Sequence, residues 1–259
     1  MTMPSLFRRA VMVGTVSLAA TGGAVRGDEP VMVFAAATLK NALDAVMQAA
    51  RADLHVAITP VYGPSPTLVK QLDGGAAGDI FFSADAVWMD DAIRRGLVDA
   101  SSRVDLLSSR LVLVAPAGRS EPVTIAVGFP LAEMLGGGRL AMCDPMMMPA
   151  GRYGRASLQA LGVWDGVKGH VANAEDVLAA LAYVSRGEAA LGIVFDTDAR
   201  LDPGVRVVGT FPPATHPPIV YPVARVARST NPDTGRVLGY LRSAAARSMF
   251  EGFGYVVLA

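Results

Sequence analysis

The stretch VYGPSPTLVKQL (61–72) carries a strand-like segment into an apolar-periodic one across a serine set between two prolines. Pro66 suits the first position of a helix, where a missing N–H costs nothing, and this makes Ser65 the expected N-cap. FAAATLKNAL (34–43) repeats the arrangement, with Thr38 at the junction. Two hydroxyl residues at two helix starts are either two local caps or two fingers closing on one ligand. The strand-into-helix reading decides the fold class.

Working outward, strand-like runs fall at 31–36, 55–61, 79–83, 111–116, 139–143, 191–195, 205–211 and 219–224. Helical periodicities lie between them: Leu39, Ala42, Leu43, Val46 and Met47 form one stripe, and Val177, Leu178, Leu181 and Val184 another. A third helix around Val87–Leu97 should stop at Gly96, the one at Val177 should stop at Gly187, and a fourth runs through Val237, Leu238, Leu241 and Ala245. This alternation argues for α/β layers with mostly parallel sheets. Ligands of such sheets sit beyond the carboxyl ends of strands, where helices begin and present free N–H groups. Four such junctions stand out: AAATLKN, YGPSPTL, DPMMMPAGRY and VANAEDVLAAL.

The chain has 259 residues, 52% hydrophobic and 18% charged, with zero formal net charge. That suffices for one large domain or two smaller ones and shows no basic surplus for nucleic acid. Residues 1–27 read as a secretory signal peptide: Arg8 and Arg9, an apolar stretch, then small residues ending at Gly27. Removing Arg8, Arg9 and Arg26 from 23 basic residues leaves 20 against 23 acidic, net −3. Cys143 is the single cysteine, so no internal disulfide forms. The expectation is a soluble, exported, periplasmic monomer.

Catalytic motifs are weak. GPSPT lacks the second glycine of a nucleophile elbow. His55, His170 and His216 stand in no triad or metal spacing; His55 reads as a strand residue and the others as surface histidines. There is no dinucleotide fingerprint or Walker loop, and no cofactor is expected. Several helix starts with neutral hydroxyls suit a small, fully ionised oxyanion instead.

The segments VFAAATLKNAL, PTLVKQLDGGAAGDIFFSAD, LVLVAPAG, GGRLAMCDP, PAGRYGRASLQALGVWD, AEDVLAAL, GEAALGIVFDTDA, YPVA and GFGYVV follow one another along nearly the whole chain. In that order and spacing they closely resemble the periplasmic molybdate-binding proteins of molybdate ABC transporters. The resemblance implies a type II periplasmic-binding-protein fold: two α/β lobes joined by a two-strand hinge, with the ligand in the cleft. It implies a solute-binding role and no enzyme, with molybdate or tungstate as ligand and the membrane permease subunits of an importer as partner. Carried over position by position, the oxyanion contacts fall on Thr38, Ser65, Ala150, Val177 and Phe195, through hydrogen bonds and not by direct ligation of the metal. Two positions depart from the family's usual pattern: Thr38 stands where serine is common, and Phe195 where a tyrosine phenol commonly donates. Sulfate or a related oxyanion is the competing ligand, and a periplasmic enzyme or sensor on the same fold the competing class. The expected partition is lobe one at 28–113 and 197–259 and lobe two at 114–196. Glu175 and Asp176 are expected to point away from the cleft. Arg152 and Arg155 are expected either in solvated or lobe-pairing positions or as a source of positive potential.

Overall fold

The side chains of one strand show how the layers are built. Val31, Val33 and Ala35 point into one core, and Phe34 points into another on the opposite face. A strand that is apolar on both faces must be covered on both, and helices supply the cover. The computed structural model describes residues 29–118 and 121–259; the signal peptide read at 1–27 lies outside them.

In chain order the elements are β1 (Val31–Ala36), α1 (Lys40–Leu54), β2 (Ile58–Gly63), α2 (Ser65–Asp73), β3 (Ile80–Phe82), α3 (Ala86–Arg94), β4 (Val104–Ser108), β5 (Leu111–Pro116), α4 (Leu131–Leu135), β6 (Leu140–Cys143), α5 (Pro149–Ala160), α6 (Trp164–Val167), β7 (Val171–Ala174), α7 (Val177–Ser185), β8 (Leu191–Phe195), α8 (Asp196–Ala199), β9 (Val205–Thr210), β10 (Val220–Arg225), α9 (Thr234–Leu241), α10 (Ala244–Gly252) and β11 (Val256–Val257). They form two sheets. The first has six strands in the order β11-β4-β10-β3-β1-β2, and the second has five in the order β7-β6-β8-β5-β9.

Helices α1, α9 and α10 cover one face of the first sheet, where Leu43, Met47, Val237, Leu241 and Phe250 are buried together. Helices α2 and α3 cover the other through Leu68, Leu72 and Met89 against Phe34 and Phe81. In the second sheet, Leu113, Met142 and Ile193 pack with Leu158 of α5. Val112, Val114, Ala141 and Val194 meet Leu181 and Val184 of α7 on the opposite face. Gly96 and Gly187 take positive φ (67° and 74°) just after α3 and α7, as helix-stopping glycines do.

The sheets are mixed, not mostly parallel. β1 pairs in parallel with β2 and β3, and β6 with β7 and β8, whereas β10, β11, β5 and β9 pair antiparallel. Apart from β11, which follows α10, the antiparallel strands lie beside the points where the chain changes sheet without a covering helix. β5 pairs with both β8 and β9, so the second sheet is drawn from 111–210 and the chain passes between the sheets at 109–110 and 211–219. β4, β7 and β11 were not expected from the sequence, and the last helical stripe divides into α9 and α10 where the Ser243 hydroxyl caps Ala246 N–H at 3.2 Å. His55 is not in a strand; it ends α1 in the left-handed region with φ 54°.

At the amino end of β3, Asp79 ties three segments together. Its carboxylate accepts from Met32 N–H (2.8 Å) and from the Ser229 hydroxyl (2.6 Å), and its carbonyl accepts from Val226 N–H (2.8 Å). Asp79→Ala removes a charged acceptor from two buried donors and should lower unfolding free energy by about 2–3 kcal/mol in urea titration. An unchanged denaturation midpoint would show that water takes over both bonds.

Candidate oxyanion site

Parallel pairing fixes where the junctions lie. Ala36 is opposite Gly63 in the β1–β2 register, so Thr38 and Ser65 each stand two residues beyond a matched pair. Phe82 is opposite Ala35, which brings the β3 exit to nearly the same height. In the second sheet, Cys143 is opposite Ala174 and Leu140 opposite Leu191, so β7, β6 and β8 also end together. Ala150, Val177 and Phe195 lie at those three ends: Ala150 second in α5, Val177 first in α7, Phe195 last in β8.

The two sets of ends face one another. Asp85, the N-cap of α3 in the first sheet, lies in the field of Arg152 of α5 in the second, and Tyr153 of α5 feels Asp85 in turn. Ser65, Ala150 and Phe195 are buried, Val177 is half-buried and Thr38 is exposed.

Ser65 is not the cap of its own helix. Pro64 is the N-cap, Ser65 the first helical residue and Pro66 the second. The Ser65 hydroxyl does not cap its own helix; it accepts Ala84 N–H at 3.1 Å and so joins α2 to the β3 exit. Thr67 and Leu68 N–H both bond Pro64 C=O, at 2.9 and 3.1 Å. Since neither proline carries an N–H, Ser65 holds the remaining backbone donor of that first turn. Thr38 sits in a 3-10 turn, Ala37–Leu39, with no side-chain cap; its carbonyl accepts the Tyr255 hydroxyl at 2.9 Å.

The lobe-two starts are prepared in the same way. The Asp144 carboxylate accepts Met146 and Met147 N–H (2.7 and 3.0 Å), and Arg152 N–H bonds Met148 C=O, which leaves Ala150 and Gly151 as the orphan donors of α5. A Cβ on Gly151 would stand 2.2 Å from Asp144 O and 2.4 Å from Cys143 O, so glycine alone lets α5 begin this close to β6. Asp176 caps α7 by accepting Ala179 N–H at 2.7 Å, leaving Val177 N–H free. Asp176 thus caps its own helix, and Glu175 is exposed. Arg155 lies over the Trp164 ring at 5.8 Å and against Met146 Sδ, while the charge of Arg152 acts on Asp85 without a direct ion pair.

Phe195 meets the Tyr153 ring edge-on, with centroids 6.3 Å apart, and Tyr153 also packs on His216 at 5.8 Å. The residue following Phe195 anchors the first change of sheet: Asp196 pairs with Arg110 (2.6 Å) and Arg200 (3.2 Å). Three groups nearby went unnoticed in the sequence. Burial pushes the Asp85 carboxyl up, against the Trp88 N–H bond and Arg152 that pull it down. Burial also raises Tyr153. Burial and then Asp176 raise Asp198 to about 7. Such a group adds stability below the ordinary value near 3.8 and loses it as pH rises through about 7. Nothing local in the sequence marks these three; each depends on which strand ends become neighbours. Among the described residues no cluster of histidine, cysteine or acidic side chains could hold a bare metal ion, and no helix is long and apolar enough to cross a membrane.

Comparison with known proteins agrees with this architecture. Residues 31–256 match the model of the bacterial extracellular solute-binding protein family. The chain is 39% identical over 243 residues to the molybdate-binding protein ModA of Escherichia coli K12, covering 93% of this chain and 95% of that protein. It is 37% identical over 240 residues to ModA of Haemophilus influenzae, covering 92% and 94%. Among solved structures, a substrate-binding domain assigned to a molybdenum ABC transporter of Clostridium difficile superposes with a TM-score of 0.79 at 28% identity, covering 89% of this chain and 99% of that one. With its two facing sets of helix starts and full-length identity to ModA proteins, the chain belongs to the bacterial extracellular solute-binding protein family, within its molybdate-binding branch.

Proposed function

We propose that this protein binds molybdate, and tungstate, between its two lobes and delivers the anion to the membrane permease subunits of an ABC importer. The observation that supports this reading is that free neutral donors stand at matched strand ends in each sheet, Ser65 in the first, Ala150 and Val177 in the second, and the proposal brings them to one anion. Thr38 adds its hydroxyl and N–H, and Phe195 forms an apolar wall. A dianion held by dispersed N–H dipoles is stabilised without a fixed countercharge. Because the donors come from both lobes, the anion favours the closed arrangement by differential contact, and the closed form is what a permease can read. The apolar leader at 1–27 and the family's extracellular description support export to the periplasm, and the ligand is cargo, with no cofactor and no catalysis. We take the lobes as the two sheets with their helices, and the protein as a monomer.

Sulfate is the second reading, because Phe195 withdraws one donor from the site. All these anions are tetrahedral dianions near neutral pH, so the size of a rigid cavity must discriminate. Molybdate and tungstate should raise the melting temperature strongly; a ligand at a hundredfold its Kd adds about 2.7 kcal/mol. Sulfate should raise it far less, and an equal shift at equal concentration would replace the molybdate reading by the sulfate one.

Ser65→Ala tests the finger directly. It should weaken molybdate binding by about 1.5–3 kcal/mol, the range for a hydrogen bond to a charged group. The structure adds a stability loss of about 1–3 kcal/mol, because Ala84 N–H is left without its acceptor. Calorimetric titration showing full affinity in a destabilised variant would restrict Ser65 to the Ala84 bond. Phe195→Tyr should retain binding and strengthen it by up to about 1.5–3 kcal/mol where the phenol reaches the anion. A large loss in the same titration would show a pocket packed around the phenylalanine ring.

A further inference from the structure

Helix α5 turns one face toward the second crossing between the sheets. Ala150, Tyr153 and Ser157 stand along it, three and four residues apart, as neighbours on a helix surface do. Two contacts fix that face to the crossing at 211–219. The Ser157 and Thr215 hydroxyls bond at 2.9 Å, and the Tyr153 ring packs on His216 with centroids 5.8 Å apart. The crossing leads back to the first sheet, so this is the face of α5 that borders the passage between the lobes. Ala150 and Ser157 are buried in it, and Tyr153 is the part left half-buried.

A helical side chain leans toward the N-terminus of its own helix. Tyr153 therefore lies over Ala150, with about 5–6 Å between the two Cβ atoms. Ala150 is one of the two orphan donors of α5. On its other side the Tyr153 ring meets Phe195 edge-on at 6.3 Å, where β8 ends. The ring thus stands between two of the strand-end positions, one with an open N–H and one with a phenyl group that has nothing to donate.

The hydroxyl of this ring is uncommitted. Tyr62, Tyr240 and Tyr255 spend theirs on Asp44 (2.6 Å), Asp53 (2.7 Å) and Thr38 C=O (2.9 Å). That of Tyr153 bonds nothing among the described residues, and its oxygen is not sealed from solvent. The ring contacts to Phe195 and His216 would be made equally well by phenylalanine, so packing leaves the oxygen unexplained. A phenol clamped on both ring faces and free at its tip is a donor with little conformational freedom left to lose.

We propose that Tyr153 is a further residue of the oxyanion site, its hydroxyl donating a hydrogen bond to the bound anion beside Ala150 N–H. The inference rests on the anion reading above. A phenol keeps its proton at neutral pH and so serves as a neutral donor like the backbone N–H groups. Its bond to a dianion is of the charge-assisted kind, which is the stronger one.

Tyr153→Phe removes one oxygen and keeps both ring contacts. In titration calorimetry with molybdate its affinity should be about tenfold or more below that of the unsubstituted protein. The urea midpoint of the anion-free variant should not move, because no protein group loses a partner. Tyr153→Leu, which removes the ring as well, should lose at least as much affinity. Unchanged affinity in Tyr153→Phe, with or without a loss in Tyr153→Leu, confines Tyr153 to packing; it overturns the proposal and leaves the anion reading standing. A weaker affinity matched by a lower urea midpoint in anion-free Tyr153→Phe shows a hydroxyl that serves the fold, and overturns it too. Absence of molybdate binding by the unsubstituted protein removes both.

Discussion

The register of parallel strands is the constraint on which the site depends. Ala36 opposite Gly63 and Cys143 opposite Ala174 make neighbouring strands end level. Each end then passes into a helix whose first N–H groups have no partner within the helix. A slip of one residue in either pair would rotate every side chain of the strand to the opposite face. It would also take Val33 or Met142 out of its core. Burial of the sheet therefore enforces the alignment of the donors, and the site inherits its rigidity from packing that has no contact with the ligand.

Much of this was legible in the sequence. The α/β alternation, the stops at Gly96 and Gly187, and the four strand-to-helix junctions all rest on local chemistry, and each reappears in the structure. What escaped was non-local. β7 carries only Val171 among its large apolar residues, and β11 is two residues long, so neither shows a strand period by itself. The points where the chain changes sheet depend on whether β5 chooses β8 and β9 or the first sheet as partners, and an apolar run looks the same in both cases. Ser65 had the sequence of an N-cap, yet Pro64 took that place and the hydroxyl went to Ala84, a residue 19 positions away. The five residues carried over from the family fall at the facing strand ends, but the pressure on Asp85 and Asp198 arises only from what folding puts beside them.

The electrostatics of this region rely on restraint of charge. Carboxylates crowd both sets of helix starts, and four of them are committed: Asp144 to two backbone N–H groups, Asp176 to the α7 cap, Asp85 to Trp88 N–H, and Asp196 to two arginines. Committed carboxylates orient the loops while their charge is partly absorbed by dipoles. The donors left over are backbone N–H groups, which cannot be titrated. A site of this kind keeps its attraction for an anion across pH, and any pH dependence must come from a side chain set among those donors.

The two crossings between the sheets are unequal. β4 ends at Ser108 and β5 begins at Leu111, so the first consists of Ser109 and Arg110, held by Thr197 and Asp196. The second, 211–219, contains Pro212, Pro213, Pro217 and Pro218 and is fastened to α5 by the Thr215–Ser157 hydroxyl bond at 2.9 Å. Four prolines fix four φ angles, and the first crossing has no slack at all. Relative motion of the lobes is thus concentrated in very few torsions. It resembles a door on stiff hinges, swinging through one arc, more than a pair of beads on a string. A swing confined to so few torsions frees little disorder, so under the proposed function closing around a small ion would forfeit little entropy. On the proposed function, an anion with only a handful of oxygen atoms to offer would then suffice to drive a movement of the entire molecule.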